Sequence, residues 1–128
     1  MDRSKDWLEQ GKSDLEAANH LLDTNDFSWS CFLAQQTAEK ALKALGEYEN
    51  IFLWGHDLVD LIEELEKKIK IPKKILDHSK TLNLYYISTR YPDAFTSGHP
   101  SEKFSEQQAL DAIILAKEIL EYVQEKIK

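Results

Sequence analysis

Residues 27–48 read FSWSCFLAQQTAEKALKALGEY, and their apolar side chains recur at steps of three and four. The recurring positions are Phe27, Cys31, Ala34, Ala38, Leu42 and Leu45. Because an α-helix turns once every 3.6 residues, this spacing places all these side chains on one face. The pattern therefore predicts a long amphipathic helix whose apolar stripe packs against a core.

Two further long helices are predicted at the ends of the chain. Residues 4–22 carry apolar or small side chains at helical spacing, namely Trp7, Gly11, Leu15, Ala18 and Leu22. Residues 105–127 begin with Ser105 and Gln108, the pair of residues that forms a capping box. A seven-membered apolar stripe follows that box, from Ala109 to Ile127.

The middle of the chain predicts two more helices and a long loop. Asp57 is the expected N-cap of a third helix that continues to about Lys70. Pro72 suits the first turn of a fourth helix, which should end near Tyr91 because Pro92 disfavours helical geometry in the residue before it. Residues 92–104 are an expected loop. The predicted fold is all-α, an up-and-down bundle of about five helices, four long core helices plus a shorter one.

Composition narrows the class of protein. The 128 residues are 42% hydrophobic and 30% charged, with 4 Gly and 3 Pro, as expected for a single helical domain over residues 1–128. There is no apolar run of about 18 residues, so no membrane span is expected. The charged first ten residues and the lone Cys31 favour a cytoplasmic protein without disulfides. The net charge of −7 argues against broad DNA binding.

A polar strip borders the apolar stripe of the second helix. Gln35, Glu39 and Lys43 share one side of that helix, with Gln36 and Lys40 beside them. One interpretation is a solvated shoulder with a weak Glu39–Lys43 ion pair. The other is a partly buried site that offers two amides, a carboxylate and two ammonium groups.

The end of the fourth helix holds a second candidate. Tyr86 and Arg90 are one turn apart, and Tyr91 follows directly. An arginine fork matches phosphate, and tyrosine rings stack on bases. The alternative is structural: Arg90 stabilises a helix C-terminus and the tyrosines pack between helices.

The four histidines, at positions 20, 56, 78 and 99, show no metal-ligand spacing, and one cysteine cannot build a zinc site. We therefore expect neither a metal nor another cofactor. His56 lies just before the third helix, where it either helps to bind an anion at the helix N-terminus or only fixes the loop.

Four sequence blocks together resemble a prokaryotic HEPN domain protein. They are Trp7-Leu8-x-x-Gly11 with Asp14-Leu15-x-x-Ala18, Gln35-Gln36-x-Ala38-Glu39-Lys40-Ala41-Leu42-Lys43, Gly55-His56-Asp57-Leu58, and Arg90-Tyr91-Pro92-Asp93. The resemblance implies a helical bundle, usually a homodimer, that binds nucleotides or RNA. It also implies a small nucleotidyltransferase as partner in a toxin–antitoxin pair, where the HEPN member is often a metal-independent endoribonuclease.

The ribonuclease motif of that family places a His after an Arg, with four to six residues between them. Arg90 matches the Arg, but the corresponding positions hold Phe95, Thr96 and Ser97. The first His after Arg90 is His99, with eight residues between the two. The catalytic His is therefore missing at the spacing that the motif requires.

We predict a module that binds the phosphate of a nucleotide or RNA and acts with a nucleotidyltransferase-type partner. In the predicted site Arg90 binds phosphate, Lys40 and Lys43 add positive charge, Gln35 and Glu39 orient the site, and Tyr86 or Tyr91 stacks. Asp93 and His56 complete it. One alternative is an endoribonuclease that uses Arg90 and His99, and another is a scaffold that binds only protein. Trp29, Phe32, Phe52 and Trp54 predict a homodimer interface near the second helix and residues 51–54.

Overall fold

A computed structural model describes all residues, 1–128, and contains only helices, turns and loops. The helices are α1 (Ser4–Asp23), α2 (Phe27–Tyr48), α3 (Leu58–Leu65), α4 (Lys73–Asn83), α5 (Tyr85–Ser88) and α6 (Glu106–Ile127). Two 3₁₀ turns, Pro92–Ala94 and Pro100–Glu102, lie between α5 and α6. The predicted all-α bundle is confirmed.

The helix α2 is the centre of the bundle. It packs along both α1 and α6, and it also contacts α3, α4 and α5. Its predicted stripe is buried, with Cys31, Ala34, Ala38, Leu42 and Leu45 all fully shielded from solvent. Because α2 is covered on several sides, polar residues beside the stripe are also buried, and this is what creates the site described below.

The caps of α3 and α6 form as predicted. The Asp57 carboxylate accepts hydrogen bonds from the amides of Val59 and Asp60, at 3.0 and 3.2 Å. Ser105 and Gln108 exchange the two hydrogen bonds of a capping box. Each cap satisfies backbone donors that a helix start leaves without partners.

The central helices are shorter than predicted. The helix α3 ends at Leu65 instead of Lys70, because the chain must turn there to bring Ile71 into the core, where it is 5% exposed. The predicted fourth helix, 72–91, is interrupted at Leu84 and splits into α4 and α5. The bundle thus has three long helices, not four, with α3 and the α4–α5 pair completing it.

None of the helices combines the length and apolar character needed to cross a membrane.

Candidate functional site

The polar strip of α2 is partly buried, with Gln35 and Glu39 buried and Gln36, Lys40 and Lys43 half-buried. Gln35 is fully shielded and Glu39 is 4% exposed, although both lie beside the apolar stripe. Burying an unpaired carboxylate is costly, so Glu39 requires partners. The structure supplies them from α2 itself and from the loop before α3.

Glu39 is the centre of a hydrogen-bonded group. Its carboxylate accepts from Lys43 Nζ at 3.0 Å and from the Gln36 amide at 3.3 Å. The Nδ1 atom of His56 lies 3.0 and 3.1 Å from the two carboxylate oxygens. Because a carboxylate only accepts hydrogen bonds, Nδ1 carries the proton. In a neutral imidazole the other nitrogen, Nε2, then has a free lone pair.

Gln35 fixes the backbone of the same histidine. Its amide nitrogen donates to the carbonyl oxygen of His56 at 3.1 Å, and its amide oxygen accepts from Gln36 at 2.8 Å. Two adjacent glutamines of α2 therefore hold both the loop and the carboxylate that meets the imidazole. The His56 side chain remains 53% exposed.

Tyr86 of α5 lies against the other side of this arrangement. Its ring stacks on the His56 imidazole, with centroids 4.6 Å apart and planes inclined by 16°. Phe32 of α2 packs on Tyr86 at 6.2 Å. The short helix α5 thus places an aromatic ring beside the histidine that Glu39 and Gln35 position.

Arg90 follows α5 and lies among aromatic rings. Its Nε donates to the carbonyl oxygen of Tyr86 at 2.8 Å. The guanidinium carbon is 4.4 Å from the ring centroids of both Phe32 and Tyr86, and 5.0 Å from that of Tyr91. Arg90 forms no ion pair with a carboxylate, so its terminal nitrogens keep their capacity to bind an anion.

The Tyr86 ring connects His56 with Arg90. The centroid of the His56 imidazole lies 4.6 Å from the Tyr86 ring centroid, and the guanidinium carbon of Arg90 lies 4.4 Å from the same point. The imidazole centroid and the guanidinium carbon are therefore at most about 9.0 Å apart. We call Gln35, Glu39, Lys43, His56, Tyr86 and Arg90 the polar cluster. Gln35 and Glu39 contact His56, and Tyr86 lies between His56 and Arg90, so the predicted residues are linked to Arg90 only indirectly and none of Gln35, Glu39 and Lys43 contacts it.

A cleft of about 340 Å³ opens beside His56 and Tyr86 and is also lined by Asp57, Asn83 and Ile87. The Asn83 amide donates to Asp57 at 2.7 Å and, with the amides of Asp60 and Val59, lowers the pKa of Asp57 below its ordinary value. The Asn83 side-chain oxygen accepts from the Leu58 amide at 2.7 Å. Asn83 therefore ties the end of α4 to the start of α3.

Three residues of the predicted site lie apart from the polar cluster. Lys40 pairs with Asp14 of α1, which also accepts from Gln10. Asp93 is exposed in the first 3₁₀ turn. His99 is exposed and has local partners, Ser101 at 2.6 Å and Glu102 at 3.7 Å, but no contact with Arg90. No group of three or more His, Cys, Asp or Glu residues is placed to hold a metal ion.

Sequence reasoning missed two contributors to the site. Phe32 was expected only at a dimer interface, yet it lies one turn before Gln35 and Gln36 and contacts Arg90. Its i, i+3 and i+4 spacing to the polar strip was an available signal. Nothing in the sequence indicates that Asn83 belongs to the site, because its hydrogen bonds depend on how closely α4 approaches α3 in the folded chain.

Comparison with known proteins identifies a family for this chain. A model of the HEPN domain matches residues 4–127. The Methanocaldococcus jannaschii protein named "Putative toxin MJ1304" is 25% identical over 134 residues, which cover 98% of this chain and 88% of that protein.

Solved structures agree in fold and in sequence. The crystal structure of TT1696 from Thermus thermophilus superposes with a TM-score of 0.94 and 40% identity, covering 98% of this chain and 99% of that one. An archaeal HEPN homologue, ST0689, gives 0.85 and 35% over the whole of both chains. A HEPN domain protein from Thermotoga maritima gives 0.76 and 30%, covering 94% and 96%. The chain therefore belongs to the HEPN domain family.

Proposed function

We propose that the polar cluster binds the phosphate groups of a nucleotide or of RNA. The observation that carries this proposal is the environment of Arg90, whose guanidinium is surrounded by three aromatic rings and has no carboxylate partner. A guanidinium in that position loses hydration without gaining a neutralising anion. A phosphate supplies the missing charge and accepts two parallel hydrogen bonds from the arginine fork.

Charges at the other end of the cluster are already balanced. Lys43 is only 14% exposed and pairs with Glu39 at 3.0 Å, so it adds little net positive charge. Arg90 is therefore the main electrostatic attraction for an anion. His56 adds a second polar contact, because its Nε2 donates a hydrogen bond to a phosphate oxygen when the ring is charged and accepts one from a hydroxyl group when the ring is neutral.

We further propose a toxin-like role beside a small nucleotidyltransferase partner. The name of the Methanocaldococcus jannaschii relative supports the toxin-like role. The resemblance of the four sequence blocks to toxin–antitoxin HEPN proteins supports the partner.

The test of phosphate binding is a titration of the purified protein with a nucleoside monophosphate and with short RNA in EDTA, followed by calorimetry. Removal of a charge-assisted, bidentate contact costs about 1.5–3 kcal/mol, so Arg90→Ala should weaken binding on the order of 10- to 100-fold. Arg3→Ala is the matched control, since Arg3 is the other arginine and its side chain is 61% exposed in a surface ion pair. Equal affinities for Arg90→Ala and the wild type would refute the proposal.

A second candidate function, metal-independent RNA cleavage, rests on the pair formed by Glu39 and His56. Glu39 holds Nδ1, which leaves Nε2 as a base within reach of a phosphate bound by Arg90. In such cleavage Nε2 takes the proton of the 2′-hydroxyl, whose oxygen attacks phosphorus. The bond to the 5′-oxygen breaks, and water protonates that oxygen. His56, and not His99, would be the base, because His99 has no contact with the polar cluster.

A further inference from the structure

The cleft beside His56 and Tyr86 adjoins the polar cluster, because both residues line the cleft and both belong to the cluster. The other lining residues are Asp57, Asn83 and Ile87, and none of the five is among the aromatic residues that predict a homodimer interface. The volume of about 340 Å³ corresponds to roughly eleven water molecules at about 30 Å³ each. The cleft is therefore large enough to hold a sugar ring.

One carboxylate oxygen of Asp57 has no hydrogen-bond partner within the chain. The other oxygen, Oδ1, accepts from the backbone amides of Val59 and Asp60 and from the Asn83 side chain. These bonds, that from Asn83 most of all, hold the carboxylate in place and lower its pKa, so the group is charged at neutral pH. The second oxygen, Oδ2, is therefore a positioned, charged acceptor for a ligand that donates a hydrogen bond.

Asn83 and His56 place further hydrogen-bonding atoms beside that oxygen. The Asn83 Nδ2 atom carries two hydrogens and gives one to Asp57, so the second remains for a ligand. In the neutral ring the Nε2 atom of His56 accepts. Ile87, which is 51% exposed, adds an apolar wall. A hydroxyl group donates and accepts at once, so it matches a carboxylate oxygen that lies near an amide N–H.

The charge of Asp57 decides which part of a nucleotide enters the cleft. A carboxylate repels a phosphate, whereas the Arg90 guanidinium attracts one. In a nucleotide bound by both residues, the phosphate therefore lies at Arg90 and an uncharged part lies at Asp57.

The short span between the two ends selects the sugar over the base. The guanidinium carbon of Arg90 lies at most about 9.0 Å from the imidazole centroid of His56, and Asp57 follows His56 in the chain. Hydrogen bonds of about 2.8 Å at the two ends of a ligand take up more than half of that span. The ribose is bonded to the phosphate and reaches the cleft first, whereas the base is attached on the far side of the sugar.

We propose that this cleft holds the ribose of the nucleotide whose phosphate Arg90 binds, and that Asp57 Oδ2 accepts a hydrogen bond from the 2′-hydroxyl. An acidic side chain binds a ribose hydroxyl in the same way in dinucleotide-binding folds. This inference rests on phosphate binding by the polar cluster. It adds a selection for ribonucleotides over deoxyribonucleotides, because the 2′-hydroxyl is the group by which a protein distinguishes RNA from DNA.

The experiment measures, by calorimetry in EDTA at one fixed low salt concentration, the binding of adenosine 5′-monophosphate, its 2′-deoxy form and its 2′-fluoro-2′-deoxy form. The ligands share their base and their charge, so differences between them report recognition of the 2′ position. Fluorine is close to a hydroxyl group in size but cannot donate a hydrogen bond. The wild type should bind the ribonucleotide about tenfold more tightly than the other two, as expected for one hydrogen bond to a charged group.

Asp57→Asn tests the free oxygen without removing the cap of α3. Asn is as good an N-cap as Asp, and its side-chain oxygen can keep the bonds of Oδ1 while an amino group replaces Oδ2. The preference for the ribonucleotide should therefore disappear. Asp60→Asn is the matched control, because it removes the same charge from an exposed residue of α3 that does not line the cleft, and it should keep the full preference.

The ratio between ligands also separates recognition from stability. A loss of folded protein would weaken all three ligands alike, and urea denaturation of both variants detects it. A preference that disappears in Asp57→Asn while the protein stays folded therefore reports the hydrogen bond to the sugar.

The outcomes distinguish this inference from the proposed function. Equal affinity for the ribonucleotide and the deoxyribonucleotide, or a preference that survives Asp57→Asn, would overturn the ribose site, and phosphate binding would stand if Arg90→Ala weakens every ligand. Binding of the 2′-fluoro nucleotide as tightly as the ribonucleotide would overturn it too, and so would loss of the preference in Asp60→Asn. If none of the nucleotides binds, both proposals fail together.

Discussion

The imidazole of His56 stacks on the phenol ring of Tyr86, with centroids 4.6 Å apart and an interplanar angle of 16°. The two residues belong to different segments, the loop before α3 and the short helix α5. Their contact joins the two ends of the polar cluster. At one end the Nδ1 atom of His56 contacts the Glu39 carboxylate of α2, and at the other the Tyr86 carbonyl oxygen accepts a hydrogen bond from Arg90. A change at either ring should therefore affect both ends of the site.

The first prediction concerns RNA cleavage. We expect weak or no cleavage of single-stranded RNA by the purified protein in EDTA, because the histidine of the ribonuclease motif is absent at its required spacing. His99→Ala should have no effect on nucleotide binding, since the polar partners of the His99 side chain are Ser101 and Glu102, which lie outside the polar cluster. The measurement is the appearance of shortened RNA over time.

Robust cleavage would contradict that expectation. The variants His56→Ala and His99→Ala would then decide which histidine acts as the base. Loss of cleavage in both Arg90→Ala and His56→Ala, with cleavage retained in His99→Ala, would establish the Glu39–His56 pair as the source of the base. Loss in His99→Ala instead would assign that role to the loop histidine.

The second prediction concerns the N-cap of α3. Asp57→Ala removes the acceptor of two backbone amides and should lower the free energy of unfolding by about 1 kcal/mol, measured by urea denaturation. Asp60→Ala is the control, because Asp60 lies in the first turn of the same helix and its side chain caps nothing.

The contribution of Asp57 to the free energy of unfolding should decrease at acidic pH. Its pKa in the folded protein is lowered, mainly by the Asn83 amide, so the charged form is favoured by folding. The associated stability is present at neutral pH, above the ordinary pKa of about 3.9, and declines as the pH falls through the lowered value. The difference between the wild type and Asp57→Ala should therefore shrink in acid. A difference that grows in acid would contradict this assignment.

The third prediction compares two glycines of the long helices. A Cβ atom on Gly46 would lie 2.7 Å from Leu53 Cδ1 and 2.9 Å from the backbone oxygen of Ile51, which cannot move freely. Gly46→Ala should therefore lower the thermal midpoint, with a cost of about 1–3 kcal/mol.

Gly11 provides the matched comparison. A Cβ atom there would lie 3.5 Å from the Thr37 oxygen and 3.7 Å from Leu120 Cδ1, which are ordinary contacts. Gly11→Ala should raise the free energy of unfolding by up to ~1 kcal/mol, because alanine has the higher helix propensity. Destabilisation by both substitutions to the same extent would show that the close approach of residues 51–53 does not set the cost at Gly46.

The fourth prediction is a homodimer. Trp29, Phe52 and Trp54 are 48%, 81% and 82% exposed, and exposed apolar surface of this extent marks an interaction site. We expect sedimentation velocity at tens of micromolar (a rough scale for such association) to show a dimer. Trp54→Ser should shift the distribution towards monomer.

Ile114→Ser is the control for that experiment, because Ile114 is 53% exposed but lies on α6. A wild type that sediments only as monomer would refute the dimer. A dimer disrupted equally by Trp54→Ser and Ile114→Ser would place the interface elsewhere.

The fold was largely predictable because its signals are local. Each of the long helices α1, α2 and α6 contains at least five helical turns of apolar periodicity, which chance rarely produces. The caps at Asp57 and Ser105 depend only on residues within one turn, so they too were visible in the sequence. The end of α3 and the break at Leu84 were not, because they depend on where Ile71 and Tyr85 pack in the assembled bundle.

The candidate site, like the fold, could be predicted from the sequence only in part. The sequence by itself identified Glu39, His56, Tyr86 and Arg90 as candidate site residues, because each lies in a short segment whose side chains are suited to binding a nucleotide or RNA. Only the tertiary structure decided that Lys40 pairs with Asp14, that His99 stays apart, and that Phe32 contacts Arg90. The physical reason is that α2 is covered on several sides. Residues separated by one helical turn therefore meet different neighbours, and those neighbours come from segments that helical periodicity alone does not position.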